Sequence, residues 1–356
     1  MLDTLVVGGG LAGLSLAWQL DKRRHSYRLL EARDRLGGRI LSEVVNDGAF
    51  DLGPAWFWPG QSRMASVVEA LGLQPFEQYA DGALLYEDEH AEVHRGVGYA
   101  SMAGSLRVSG GLGALIAAIA GRVASQRIAL NTSVTRITPT STGMRTDVRT
   151  SSGEMETIES RRVVLALPPR VAAARIGLAD AVSADALAAM KAIPTWMAGH
   201  AKVVAVYSQA FWRTAGLSGD AMSRVGPMAE IHDASPAHGG PYALFGFVGV
   251  PAAQRRDQAA LLDAAKAQLV RIFGDMAGTP LRLVVKDWAL EPETATELDQ
   301  TPPRGHPAYG LPTRLQNLCD GKLLLGSTEV GTQHGGFLEG ALEAAERCLR
   351  QLIPSP

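Results

Sequence analysis

Four short groups of residues carry the types and spacing that chemistry needs. Gly8, Gly10 and Gly13 form a G-x-G-x-x-G directly after the apolar run Leu5-Val6-Val7. In such a turn Gly8 permits the tight bend, Gly10 lets the backbone approach a pyrophosphate, and Gly13 allows a helix to pack closely on its strand. Glu31 ends a second strand-like run, Tyr27–Leu30, and is placed to accept hydrogen bonds from a ribose hydroxyl. Lys202 stands inside the apolar run Ala201–Tyr207, where an ammonium must either reach solvent or be buried for a reason. Gly335 and Gly336 precede a helical pattern starting near Leu338, and a helix amino terminus stabilises negative charge placed before it.

The glycine pattern is weak evidence alone. Here it follows a strand, opens a helix (Leu11, Leu14 and Trp18 on one face) and ends in an acid at the expected distance, so a dinucleotide site is expected. Glu31 is followed by Arg35, Gly37, Gly38 and Arg39, an E-x-x-x-R-x-G-G-R that NAD does not require. Two guanidiniums beside a Gly-Gly turn suit a buried diphosphate; the alternative is a solvated basic loop.

These residues resemble the FAD-binding start of the flavin-containing amine oxidase family, the monoamine oxidase-like enzymes. The segment from Gly321 to Arg347, with Gly326-Ser327-Thr328-Glu329 and Gly335-Gly336-Phe337-Leu338-Glu339-Gly340-Ala341, is similar to that family's carboxy-terminal block. The resemblance implies an α/β fold: a Rossmann-type FAD-binding domain with a second, mixed-sheet substrate domain. It assigns Gly8, Gly10, Leu11, Ala12, Gly13, Glu31, Ala32, Arg33, Gly38 and Arg39 to the nucleotide. Leu52, Gly53, Pro54 and Ala55 fall where the family's chain runs along the flavin ring, with Pro54 replacing a glycine and Trp56 at a tyrosine position. Trp56 and Trp58 either wall the ring or pack a loop onto the core. Val134 matches a residue that meets adenine through its backbone, or is an ordinary sheet residue. Glu329 matches an acid that orients ribityl or phosphate oxygens, and Phe337 and Leu338 lie at the ring's edge.

In the same family a lysine at this distance before Phe-Trp holds a water against flavin N5, and Phe211-Trp212 match. Lys202, Phe337 and Trp56 are therefore the expected catalytic residues. Two departures stand out. Many members flank the substrate with two tyrosines, whereas here Phe337 occupies one position and no aromatic residue lies near Glu297 or Leu298 for the other. Some members attach FAD through a cysteine in that second region, which this chain lacks, so FAD is expected to be non-covalent.

The expected organisation is FAD-binding domain in 1–75, 109–169 and 301–356, with substrate lobe in 76–108 (reduced) and 170–300. Expected elements include a hairpin around Asn46-Asp47-Gly48, helices over Ala65–Leu73, Leu112–Val123, Ala181–Ala192 and Asp257–Phe273, and strands over His200–Tyr207, Tyr242–Val248 and Leu281–Trp288. Arg145–Thr150, Met155–Ile158 and Val163–Leu167 read as a three-stranded meander. His334 is expected to satisfy a turn carbonyl, with substrate contact as the alternative. Glu230, His232 and His238 are expected in a loop as surface residues, with reach to a substrate as the alternative, and no spacing argues for a metal.

With 46% hydrophobic residues the chain can bury a large core. A formal net charge of -2 without a basic cluster gives no support for nucleic-acid binding. Cys319 and Cys348 make neither a disulfide framework nor a metal site. The absence of room for a leader before the first strand, and of a long apolar tail, leads to the expectation of a soluble, cytoplasmic protein.

The resemblance implies an oxidase: hydride transfer from an amine substrate to flavin N5, an imine product, and reoxidation by O2 to H2O2. The rivals are a renalase-like or carotenoid-desaturase-like dehydrogenase acting on a non-amine, an NAD-linked dehydrogenase, and a non-catalytic FAD-binding redox module.

Overall fold

Leu5, Val6, Leu29, Val163, Val164 and Leu165 have no solvent exposure at all, the mark of strands covered on both faces. The computed structural model describes residues 1–353, so residues 354–356 of the expected last segment lie outside the described residues. In chain order the elements begin with β1 (Leu2–Val7), α1 (Leu11–Lys22), β2 (Tyr27–Leu30), β3 (Ser42–Val45), β4 (Gly48–Asp51) and α2 (Ser62–Ala70). Next come β5 (Pro75–Glu77), β6 (Ala83–Glu87), β7 (Val93–Arg95), β8 (Leu106–Val108), α3 (Gly111–Ala120), β9 (Ile128–Ala129), β10 (Ser133–Pro139), β11 (Met144–Arg149) and β12 (Met155–Leu165). Then follow α4 (Pro169–Arg175), α5 (Ala184–Ala192), β13 (Ala201–Tyr207), α6 (Phe211–Thr214), β14 (Leu217–Ser223), β15 (Met228–Asp233) and β16 (Tyr242–Val248). The chain closes with α7 (Gln258–Phe273), β17 (Arg282–Asp287), β18 (Leu323–Leu325) and α8 (Leu338–Leu352).

The first sheet runs β10-β11-β12-β1-β2-β9, with β18 also on β12. β1, β2, β9, β18 and the end of β12 are parallel. Helices α1, α3 and α8 bury Leu14, Trp18, Leu112 and Leu342 on one face, while α5 brings Ala186 and Met190 to the other. The expected meander is corrected here. Met155–Leu165 is one strand, antiparallel to β11 over Met155–Ser160 and parallel to β1 and β18 beyond. Ser160-Arg161-Arg162 looks like a polar break, but Ser160 is buried and Arg162 donates to the Gln351 carbonyl at 2.7 Å, so the strand passes through.

The second sheet runs β17-β13-β16-β15-β14-β6-β7. Every residue of β13 is buried: Val203 and Ala205 pack toward Leu261, Ala265 and Leu269 of α7, and Val204 and Val206 toward Phe50, Trp56 and Phe245. Strands β14 and β15 do not follow from propensity, since Gly219, Asp220, Glu230, His232 and Asp233 are poor strand formers. Their polar groups are paired instead. Asp233 accepts from Trp212 Nε1 and Arg213 Nε, both at 2.8 Å. Among the described residues no helix is long and apolar enough to cross a membrane.

Helix α2 begins three residues before the expected Ala65. The cause is remote in sequence: the Glu339 carboxylate of α8 accepts from the backbone N–H groups of Arg63 (3.1 Å) and Met64 (2.9 Å) and pairs with the Arg63 guanidinium. A buried acid on uncapped amino-terminal donors acts as an N-cap supplied from another helix. Glu339→Ala is therefore expected to lower stability by about 1–3 kcal/mol, read as an earlier denaturant midpoint; an unchanged midpoint would contradict this cap.

Candidate active site

A cavity of about 1060 Å³ runs between the two sheets. At one end its wall is the turn after β1. Gly8 has φ +106, and a Cβ there would lie 2.6 Å from the Ala166 carbonyl oxygen. A Cβ on Gly13 would lie 1.9 Å from the Gly8 carbonyl oxygen, so Gly13 is needed for packing and does not itself line the cavity. Gly10 is open, with nothing nearer than 3.9 Å to such a Cβ. Helix α1 has no side-chain cap and no acid in its first turn, which leaves the N–H groups of Leu11 and Ala12 at the cavity wall for an anion.

Glu31 faces the cavity and is braced: Gly9 N–H donates to its Oε2 at 2.7 Å and Arg33 N–H to its Oε1 at 3.0 Å. Ala32, Gly38, Arg39 and Val134 share the wall. Arg33 also lines it, and its Nη2 donates to Thr294 Oγ1 at 2.9 Å. Arg35 corrects the two-guanidinium expectation. Its donors go to the carbonyls of Leu36, Gly38 and Ile40, so it shapes the Gly-Gly turn from behind. Glu329, expected to orient ribityl or phosphate oxygens, has both carboxylate oxygens buried with no hydrogen-bond partner in the protein, acceptors that ribityl hydroxyls would satisfy. It is fully buried behind the wall, and its Oε1 lies 2.7 Å from Arg39 Nη1. The acid thus holds Arg39, and Arg39 faces the cavity.

The other end is aromatic. Leu52, Gly53, Pro54 and Ala55 pass along the wall with Trp56, Trp58, Trp196, Phe247, Phe337 and Leu338. Gly53 is forced: a Cβ would sit 1.9 Å from the Arg39 carbonyl oxygen. Trp56 belongs to both expected alternatives, since it lines the cavity while its Nε1 donates to Gln78 Oε1 at 2.8 Å inside the core. Phe337 meets Trp58 edge-on at 6.0 Å and stacks on His306 at 4.8 Å. The carbonyl of Gly335 is taken by His306 Nε2 at 2.9 Å, the role expected of His334. Trp196 and His306 were missed because each lies in a Pro- and Gly-rich connection whose sequence has no periodicity; Phe247 was missed because it reads as strand core.

Lys202 is buried with its Nζ in the wall, donating to the carbonyls of Asp51 and Gly53 at 2.9 Å each. It lies 4.0 Å from the Phe245 ring centre. Burial drives its pKa down to about 7; Asp51 opposes the shift and Arg107 adds to it. A neutral amine keeps both carbonyl bonds and presents a lone pair, whereas an ammonium presents a third N–H. The group at this point of the wall therefore changes from donor to acceptor near pH 7.

Glu230 and His232 overturn the surface-loop expectation. Both lie in β15; His232 is 1% exposed, and Glu230 lines the cavity beside Phe247. His238 is exposed, as expected, and is not part of the wall.

The cavity fits FAD. Uncapped helix donors, a braced acid and Arg39 occupy one end, and an apolar aromatic slot occupies the other. Neither cysteine reaches that slot: Cys319 Sγ donates to the Ala181 carbonyl and Cys348 is buried in α8.

A family model described as flavin containing amine oxidoreductase matches residues 87–353, and one described as an NAD(P)-binding Rossmann-like domain matches residues 6–71. The flavin-containing amine oxidase A of Sus scrofa is 22% identical over 458 aligned residues, covering 99% of this chain and 85% of its own. Putrescine oxidase of Kocuria rosea is 42% identical over 85 residues, 24% of this chain and 18% of its own. Cyclohexylamine oxidase from Brevibacterium oxydans IH-35A shares the fold, with a TM-score of 0.80 at 18% identity over 99% of this chain and 98% of its own. With a two-domain fold and a cavity that fits a non-covalent flavin, the chain belongs to the flavin-containing amine oxidoreductase family and is an FAD-dependent oxidoreductase.

Proposed function

We propose that this chain is an oxidase that converts an amine to an imine. The observation that carries the reading is Lys202: an amine buried in the aromatic end of the cavity, held by two backbone carbonyls, with one position left to face a ligand or an ordered water. FAD, once bound, would supply the redox chemistry: it would accept a hydride from the carbon beside the amine nitrogen, with O2 as the final acceptor and H2O2 as the reduced product. The chain's residues do the rest. Phe337, Trp58, Trp56 and Phe247 exclude water from the slot and offer ring faces to an incoming cation. Leu338 and Ala341 seat the slot on the amino terminus of α8, whose dipole favours negative charge there. Arg39, held by Glu329, and the start of α1 anchor the diphosphate, and Val134 stands beside Glu31 at the adenosine end.

The amine must be unprotonated to lose hydride. The test is the visible spectrum of the purified protein before and after anaerobic mixing with pools of amines. Bleaching by at least one pool is expected. A flavin that every pool leaves oxidised would overturn the amine assignment in favour of a non-amine dehydrogenase or a binding module.

The limiting bleaching rate is expected to rise with pH, because both the substrate nitrogen and Lys202 lose protons in that direction. Lys202→Met should slow bleaching and remove the inflection near pH 7, with flavin content measured alongside; an unchanged rate would remove Lys202 from the mechanism. Arg39→Ala removes a charged donor and leaves Glu329 buried without it, and is expected to weaken FAD binding to the apoprotein by about tenfold to a hundredfold in a fluorescence titration.

A further inference from the structure

Two residues before Lys202, His200 continues the same face of the second sheet. Its carbonyl accepts from the Trp288 N–H at 3.0 Å, which extends the pairing of β13 with β17 by one step. Alternation along a strand then turns its side chain the way Lys202 and Val204 turn, and the imidazole lines the cavity with Gln300 and Thr301. On β16 the residue after Val248, the partner of Ala201, is Gly249, so the neighbouring strand puts no side chain in front of the ring. The turn that delivers the ring is tightly set. Met197 holds φ +59, in the left-handed region that residues other than glycine seldom adopt. A Cβ on Gly199 would lie 2.3 Å from the Asp299 carbonyl oxygen, so the chain at Asp299 presses on the turn. Asp299 is itself buried and accepts from Arg170 Nη1 at 2.6 Å and from the Thr195 N–H at 3.2 Å.

The ring so placed has nothing in the protein to hold. Its Nδ1 is buried without a hydrogen-bond partner, and Nε2 finds none among the described residues. The polar groups around it are already used. Arg255 donates to both Asp287 oxygens at 2.8 Å, to the Val250 carbonyl at 2.6 Å and to the Gly199 carbonyl at 2.7 Å. The Met197 carbonyl takes the His200 backbone N–H at 3.1 Å. Gln300 donates its amide N–H to the Ala289 carbonyl at 2.9 Å, which leaves its Oε1 for the cavity. Burial lowers the His200 pKa, Arg255 lowers it further, and the Met197 carbonyl opposes both. The ring is therefore neutral at pH 7, with one donor and one acceptor nitrogen. A carboxylate would find no free guanidinium here and would meet Glu293 in the wall, and an ammonium would face the Arg255 charge. An imidazole beside an amide oxygen suits an uncharged group that both donates and accepts.

We propose that His200, together with Gln300, is the specificity-determining contact for a hydroxyl group on the amine substrate. This rests on the amine-oxidising reading above. Two residues of strand separate His200 from Lys202, about 6–7 Å, so the hydroxyl stands about four methylenes from the nitrogen that reacts at the Lys202 end. Bound there, it closes hydrogen bonds that the ring and the amide oxygen otherwise lack. A methyl group in the same place leaves them open, which is the costly outcome for polar groups shut away from water.

The test uses the full-length FAD-loaded enzyme with 4-amino-1-butanol and 1-aminopentane, which differ only in a hydroxyl against a methyl. In the unaltered protein the amino alcohol is expected to have a KM about tenfold below that of 1-aminopentane. His200→Leu should raise the amino-alcohol KM by about tenfold to a hundredfold, change its kcat far less, leave 1-aminopentane nearly as before, and so erase or reverse the gap. His200→Gln keeps a donor and an acceptor and should retain part of it. The flavin absorption spectrum of each variant, recorded before substrate is added, is expected to match that of the unaltered protein. An unaltered enzyme with equal KM values for the two probes, or a lower one for 1-aminopentane, overturns the proposal without any variant. So does a His200→Leu enzyme that loses both probes equally, and so does one whose flavin spectrum shifts while the KM ratio stays, because the ring then serves the fold or the cofactor. If neither probe, nor any amine pool, reduces the flavin, it is the amine-oxidising reading that fails, and this proposal falls with it.

Discussion

Three successive carbonyls hold this molecule's two halves in register. Lys202 Nζ donates to those of Asp51 and Gly53, and between them Trp288 Nε1 donates to that of Leu52 at 3.0 Å. All three acceptors belong to the end of β4 and the segment leaving it; one donor lies in β13 of the second sheet and the other directly follows β17. On its other side the same segment is pressed against the Arg39 carbonyl, where only glycine fits at position 53. The Asp51 side chain, meanwhile, takes Ser42 Oγ at 2.6 Å and the Leu112 N–H at 2.9 Å, the first free donors of α3. One short stretch of backbone thus positions the cavity wall, caps a helix and buries an amine. Removing the amine would leave two buried carbonyls without donors.

Much of this was legible at the ends of the chain, because there local rules coincide with the chemistry. A glycine that must accept φ +106 and another that leaves no space for a Cβ announce themselves as glycines. Glu31 is recognisable from its distance to the turn. What a sequence does not carry is the direction in which a charged side chain points. Arg35 and Arg39 stand in one motif, yet the first spends its donors on three carbonyls behind the loop while the second faces the cavity. Glu329 and Arg39 are nearly three hundred residues apart, so their ion pair was not readable.

The same limit explains β14 and β15. A strand containing Asp220, or one containing Glu230, His232 and Asp233, fails every propensity rule. It exists because its polar groups find partners, Asp220 with His232, Asp233 with Trp212 and Arg213, and Glu230 with His232 and Ser101, and those partners are known only once the chain is folded. His232 shows the principle at its strongest: two carboxylate partners and two aromatic rings turn a residue expected on the surface into one of the most buried in the lobe.

β12 has a consequence for the order in which the molecule can form. Its far half pairs on one side with β1, near residue 5, and on the other with β18, near residue 324. Helix α8, the last element described, packs against α1, among the first. On a ribosome, the segments of the second sheet are therefore all made before the first sheet can be completed. Its connections are mostly among neighbouring segments, whereas the nucleotide fold must wait for a closure across almost the entire chain. The glycine turn after β1 is thus made well before β18 and α8, the segments that complete its surroundings.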